Sequence, residues 1–293
     1  MSRLNKSDVR ASFDRAADAY DAVAVLQREV GSRVMERLDL VRIQPQVMLD
    51  VGAGTGWCSA ALAQRYPRAR VLALDLAPAM LHRARQRFSA LTRWRRGHAF
   101  VGGDAEALPV ADASCDLLVS NLALQWCPDL DRAFSEFRRV MRPGGLLMFS
   151  TFGPDTLKEL RASWAAADGA VHVNRFIDMH DVGDALVRAG LADAVMDMEH
   201  ITLTYRGVGD LMRDLKGLGA HNVNAARQRG LTGKCRLHAM MQAYEGFRRE
   251  GVLPATYEVV YGHAWAPEQT GTVSQGDDGV VRVPIERLHR RSG

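Results

Sequence analysis

Short apolar runs alternate with amphipathic stretches through the first half of the chain. Val47-Met48-Leu49-Asp50-Val51 is an apolar run that ends in a glycine-rich turn, the pattern of a buried parallel strand. Residues 70–75, 100–101, 115–120 and 146–151 repeat it, the last after a Pro143-Gly144-Gly145 turn. Between the runs, residues 57–65, 78–89 and 129–141 carry helical periodicity. Strands alternating with helices predict an α/β fold with a doubly wound, mostly parallel sheet and right-handed crossovers.

Ahead of this core, residues 1–45 read as an N-terminal helical cap. Ser7 or Asp8 caps a helix carrying Val9, Phe13, Ala16 and Ala17. A second helix passes through Val25, Val30, Val34 and Leu38, and Pro45 ends the segment. The core then spans 46–153. Over 154–267 the pattern turns more helical, at 156–167, 180–189 and 239–250, with alternating strands at 201–205 and 257–261. This stretch is expected to complete the sheet and to insert a helical lid. Residues 268–293 are polar and weakly periodic and read as a disordered tail.

Composition narrows the function classes. A chain of 293 residues, 47% hydrophobic and 25% charged, is an ordinary globular protein with ample core. A net charge of +4 suits an acidic partner but falls short of a nucleic-acid binder. No run approaches the roughly 18 apolar residues of a membrane span, and the polar N-terminus lacks a secretory core. Cys58, Cys115, Cys127 and Cys235 form no C-x-x-C pair, so no metal site is expected and a reducing cytoplasm fits.

The candidate chemistry sits at the strand ends. In Asp50-Val-Gly-Ala-Gly-Thr-Gly56, Gly52, Gly54 and Gly56 remove Cβ atoms, so backbone can approach a ligand. Such a turn also suits a dinucleotide, but Trp57 stands where that fingerprint needs a small residue under the pyrophosphate. Asp50 instead suits a cofactor with a cationic amino-acid end. Asp75, at the end of the second strand, is placed for two ribose hydroxyls. Asp104, after the third strand, suits an adenine amine. Together these point to S-adenosylmethionine (SAM) held at the carboxyl edge of the sheet.

The series D-V-G-A-G-T-G, A-L-D-L-A-P-A-M-L, G-D-A-E-A-L-P and R-P-G-G resembles class I SAM-dependent methyltransferases over residues 46–152. The resemblance adds Ala53, Leu76, Met80, Ala105 and Asn121 to the expected cofactor contacts. Four further patches are more specific: F-D-R-A-A-D-A-Y at 13–20, S-N-L-A-L-Q-W-C at 120–127, N-R-F at 174–176 and L-K-G-L-G-A at 215–220. They resemble the malonyl-acyl carrier protein O-methyltransferases of biotin synthesis. That family implies methylation of the free carboxylate of a malonyl thioester, on acyl carrier protein or coenzyme A.

A carboxylate is already ionised at neutral pH, so the reaction needs positioning rather than a general base. The resemblance implies Tyr20, Gln125 and Trp126 as positioning residues, with Tyr20 and Phe13 on a helix that covers the cofactor. Arg175 and Lys216, in the patches outside the core, are the expected partners of the malonyl carboxylate. The arginines at 83, 85, 87, 93, 95 and 96 are candidates for an acidic carrier protein. A monomer is expected. Two alternatives remain at this point: a C-methyltransferase of quinone biosynthesis, and a SAM-fold assembly factor acting on a protein partner.

Overall fold

The computed structural model describes residues 5–219 and 233–268. The expected tail, apart from Glu268, and Ala220 of the L-K-G-L-G-A patch lie outside the described residues.

Seven strands form one sheet: β1 (Val47–Val51), β2 (Arg70–Asp75), β3 (Ala99–Gly102), β4 (Cys115–Asn121), β5 (Met141–Phe152), β6 (Ala192–Tyr205) and β7 (Leu253–Trp265). Their order is β3-β2-β1-β4-β5-β7-β6. Strands β1 to β5 pair in parallel, and β7 enters antiparallel between β5 and β6. The strand order reverses between β1 and β4, so a crevice opens there at the carboxyl edge.

Two-residue alternation builds two cores. Met48 and Leu117 face one layer, and Leu49 and Leu118 face the other. On the first face lie α3 (Val25–Arg37), α4 (Trp57–Arg65), α8 (Lys158–Ala167), α10 (Val208–Gly217) and α11 (Lys234–Glu245), contributing Val30, Val34, Leu62, Trp164, Leu211 and Tyr244. On the second, α7 (Leu130–Val140) and α9 (Met179–Arg188) contribute Phe134, Phe137, Val182 and Leu186. Fully burying a Val, Leu or Phe side chain of this kind stabilises by about 1.5–3 kcal/mol.

The remaining helices are α1 (Lys6–Ala16), α2 (Tyr20–Val23), α5 (Pro78–Gln86) and α6 (Ala90–Arg96). Asn5, rather than Ser7 or Asp8, caps α1, its side chain accepting from the Ser7 N–H at 3.0 Å. The short α6 was hidden in sequence because its seven residues bury none of their side chains; Ser89 caps it and Gly97, at φ 65°, ends it. Strands β6 and β7 run well beyond the five alternating residues expected of each. Strand β6 is a largely exposed edge with Asp193 at φ 49° and a register shift before Val195, so its first half carries no apolar alternation. Among the described residues no helix is long and apolar enough to cross a membrane.

Candidate cofactor and substrate site

The carboxyl ends of β1, β2, β3 and β4 line one cavity. It is bounded by Gly52 and Gly54 after β1, Asp75 and Leu76 after β2, Gly103, Asp104 and Ala105 after β3, and Asn121 and Leu122 after β4. Met80 closes one side, and Tyr20, Phe13 and Val9 cover it from the N-terminal helices. Gln125 and Trp126 lie on its far wall with Phe152 and Leu218.

The glycine turn is backbone-built. Gly52 and Ala53 both donate to the Leu74 carbonyl, at 2.8 and 2.9 Å. A Cβ on Gly52, at φ 74°, would collide with Ala123, whereas one on Gly54 would meet nothing within 4 Å. The open space over Gly54 is the cradle. Gly56 serves a different purpose from the one expected of it: it does not line the cavity, but lets α4 approach α5, where a Cβ would sit 2.7 Å from that of Ala84.

Asp75 is held by backbone donors on both oxygens. One oxygen accepts from the Gly54 N–H and the other from Ala77 N–H, both at 2.8 Å. Burial nevertheless pushes its carboxyl up to about 6, against the pull of these donors. Asp50 lies beneath the turn in an adjoining cavity with Ala53, Tyr20 and Gln27. Burial pushes its carboxyl up to about 7, although Ser59 donates to one oxygen at 2.5 Å. The other Asp50 oxygen and Oε1 of Gln27 are buried with no hydrogen-bond partner. Two orphaned acceptors lining one cavity fit the ammonium group of an amino-acid moiety, the cationic end of SAM. Gln27 was invisible in sequence, since an isolated glutamine in an amphipathic helix carries no motif.

Asn121 lines the cavity, but its polar atoms are committed. Its amide donates to the Gln27 carbonyl at 2.9 Å and its oxygen accepts from Ser150 at 2.8 Å, so it ties β4 to α3 and β5. Leu122 then takes φ 48°, which turns the chain sharply toward Gln125. Gln125 donates to the Leu122 carbonyl at 2.6 Å, and Trp126 packs edge-on against Phe13 at 5.2 Å. Burial, with Asp75 nearby, holds the Tyr20 phenol well above its ordinary range, so it stays a hydroxyl donor.

The N-terminal helices are fastened over this cavity by charge. Lys6 reaches Asp104 and Glu106, each at 2.6 Å. Asp14 accepts from Ala79 N–H at 2.9 Å at the start of α5, a helix without a cap of its own. Asp21 bridges Thr55 and Arg87, each at 2.6 Å. Arg83 pairs with Asp18. The arginine cluster expected to meet a carrier is therefore divided: Arg83 and Arg87 hold the N-terminal helical cap, and Arg93 donates to the Arg85 and Phe88 carbonyls. Arg95 and Arg96 end α6, whose Gly97 packs on Arg70 at the start of β2, the sheet edge away from the cavity.

A second cavity, of about 860 Å³, adjoins the first. Helices α1, α8 and α10 and the loop before α9 build it. Lys216 lines it, as do Asn174 and Phe176. Arg175 between them is exposed and lines neither cavity.

A family model described as a methyltransferase domain matches residues 49–149, the stretch that carries the strand ends lining the cofactor cavity. The malonyl-[acyl-carrier protein] O-methyltransferase of Methylovorus sp. (strain MP688) is 55% identical over 276 residues, covering 93% of each chain. That of Laribacter hongkongensis (strain HLHK9) is 56% identical over 267 residues, covering 90% of each. Among solved structures, Haemonchus contortus phosphoethanolamine N-methyltransferase 2, in complex with phosphomonomethylethanolamine and S-adenosylhomocysteine, shares the fold at a TM-score of 0.54 and 14% identity, over 88% of this chain and 60% of that one. With a class I SAM methyltransferase fold and such identity over nine-tenths of its length, the chain belongs to the malonyl-[acyl-carrier protein] O-methyltransferase family.

Proposed function

We propose that this protein transfers the methyl group of SAM to the free carboxylate of malonyl-acyl carrier protein, forming a methyl ester for biotin synthesis. The observation that carries the reading is the pairing of two features: near-full-length identity to relatives of that name, and a cavity whose orphaned acceptors suit SAM. When bound, SAM supplies an electrophilic methyl on a sulfonium, and the substrate carboxylate displaces S-adenosylhomocysteine.

The protein's own groups bind and orient. Asp50 and Gln27 receive the ammonium, Asp75 the ribose hydroxyls and Asp104 the adenine amine. Leu76, Met80 and Ala105 enclose the rings. Tyr20 and Gln125 position the reacting carboxylate, and Trp126, packed on Phe13, helps seal the site from water. No proton has to be removed, because a carboxylate is already ionised at neutral pH. Of the two cations considered for the malonyl carboxylate, Lys216 is supported by its place in a cavity wall and Arg175 is not.

The test is formation of S-adenosylhomocysteine with malonyl- or acetyl-loaded carrier protein. Turnover with malonyl and none with acetyl is expected, because acetyl offers no carboxylate. Equal turnover with both would overturn carboxyl methylation.

A further inference from the structure

The second cavity has a chemical gradient along it. Its wall is largely apolar, with Leu160, Trp164, Val173 and Leu215, and His172 stacks on Trp164 within it. Within that wall Oδ1 of Asn174 is buried and has no hydrogen-bond partner. At the outer end Arg15 and Arg213 are exposed. Arg213 pairs with Asp210 at 2.8 Å, and neither member of that pair is buried. At the inner end Phe176 packs against Phe152, which lines the cofactor cavity, with ring centroids 5.5 Å apart. Leu218 lines the cofactor cavity and Gly217, the residue before it, lines the second. The Phe152–Phe176 pair, the end of α10 and α1, whose Phe13 lines one space and Ser12 the other, lie between the two.

A single ligand matches this order of groups. A phosphopantetheine arm has a phosphate at one end, an apolar stretch interrupted by amide N–H donors, and a thioester at the other. An exposed cationic rim suits the phosphate and an acidic protein surface around it. A buried lone acceptor suits an amide N–H, because a carbonyl oxygen left unpaired in an apolar wall is costly until a donor meets it. The volume is within the range of ligand pockets.

We propose that this cavity is the seat of the phosphopantetheine arm of an acidic carrier protein, which docks at Arg15 and Arg213. The arm runs inward past Asn174, and Phe176 and Phe152 guide its malonyl end to the cofactor cavity. The inference rests on a malonyl thioester being the methyl acceptor, and it adds where that acceptor lies and what docks outside. The arginines of α5 and α6 have other places: Arg83 and Arg87 hold the N-terminal helices, and Arg95 and Arg96 lie toward the other edge of the sheet.

The test compares malonyl-acyl carrier protein, malonyl-coenzyme A and malonyl-N-acetylcysteamine, a truncated thioester without phosphate. Wild-type protein should show a lower KM for the carrier-bound substrate than for the coenzyme A form. The double variant Arg15→Glu/Arg213→Glu should raise KM for the carrier substrate at least about tenfold and erase that preference. Its kcat/KM for the truncated thioester should stay within about twofold, and its S-adenosylhomocysteine affinity should be unchanged, showing that it is folded. Asn174→Leu should raise KM about fivefold for both arm-bearing substrates, the loss expected for one hydrogen bond. An unchanged carrier KM in both variants, with an active wild type, overturns the arm assignment and leaves the methyl-transfer reading standing. A wild type that prefers coenzyme A overturns docking of a carrier. No methyl transfer to any of the three thioesters overturns the functional reading itself, and this inference with it.

Discussion

The two cavities are neighbours built by opposite means. The cofactor cavity is made of strand ends and backbone: Gly52, Gly54 and a carboxylate, Asp75, pinned by two N–H groups at 2.8 Å. The second cavity is made of side chains on helices and on the loop before α9, drawn from residues 12–19, 157–176 and 212–217. One must recognise an invariant small molecule, and a rigid sheet edge does that with few degrees of freedom. The other must admit a long arm, and helix faces joined by loops can supply length and an open rim. Cofactor binding should thus respond sharply to single polar changes, and substrate access more gradually to several.

The largest effect predicted for the backbone-built cavity is on Asp75. Replacing it with alanine removes a buried charged acceptor, and S-adenosylhomocysteine affinity should fall roughly 10–150-fold, or about 1.5–3 kcal/mol. Calorimetric titration of the folded variant checks this, and an unchanged affinity would erase the contrast between the cavities.

A smaller effect follows from protonation. Burial raises Asp50 to about 7 and Asp75 to about 6, so the free protein favours their neutral forms as pH falls. A bound ammonium and ribose favour the ionised forms, so binding expels protons and weakens as pH drops through these values. Between pH 8 and pH 6, Asp50 contributes about tenfold and Asp75 about twofold, roughly a 20-fold rise in Kd. Titrations across this range should show it, and Asp50→Asn should leave only the shallow Asp75 component. A flat profile in the wild type would mean that neither carboxylate meets the cofactor.

The smallest predicted effect concerns the N-terminal helical cap. Lys6 is a partly exposed anchor on Asp104 and Glu106, and such pairs contribute little. Lys6→Ala should weaken cofactor binding about two- to fivefold. A much larger loss, measured in the same titration, would make α1 an integral wall of the cavity instead of a cover fastened at several points.

The same contrast explains what could be read from sequence. Strands β1 and β2 and helix α4 were legible residue for residue, because buried parallel strands are continuous apolar runs and their exits carry glycine and aspartate. The cofactor cavity inherited that clarity through Asp75, Asp104, Met80 and Asn121. Gln27 and Lys6 escaped notice, since each acts across a tertiary contact that no local pattern encodes. Gly56 looked like part of the cradle but packs on Ala84, a distinction set by φ and by a neighbouring helix. The second cavity was unreadable as a unit. Its walls lie far apart in sequence, and within Asn174-Arg175-Phe176 the structure turns Asn174 and Phe176 into the wall and leaves the conspicuous arginine outside.

Intact-mass analysis of malonyl-acyl carrier protein after incubation with SAM and this protein tests the central claim most directly. The account predicts a gain of one methyl group on the carrier, removed by mild base because it is an ester of the malonyl carboxylate. A methyl gain that survives mild base, or no gain while S-adenosylhomocysteine binds tightly, would contradict it.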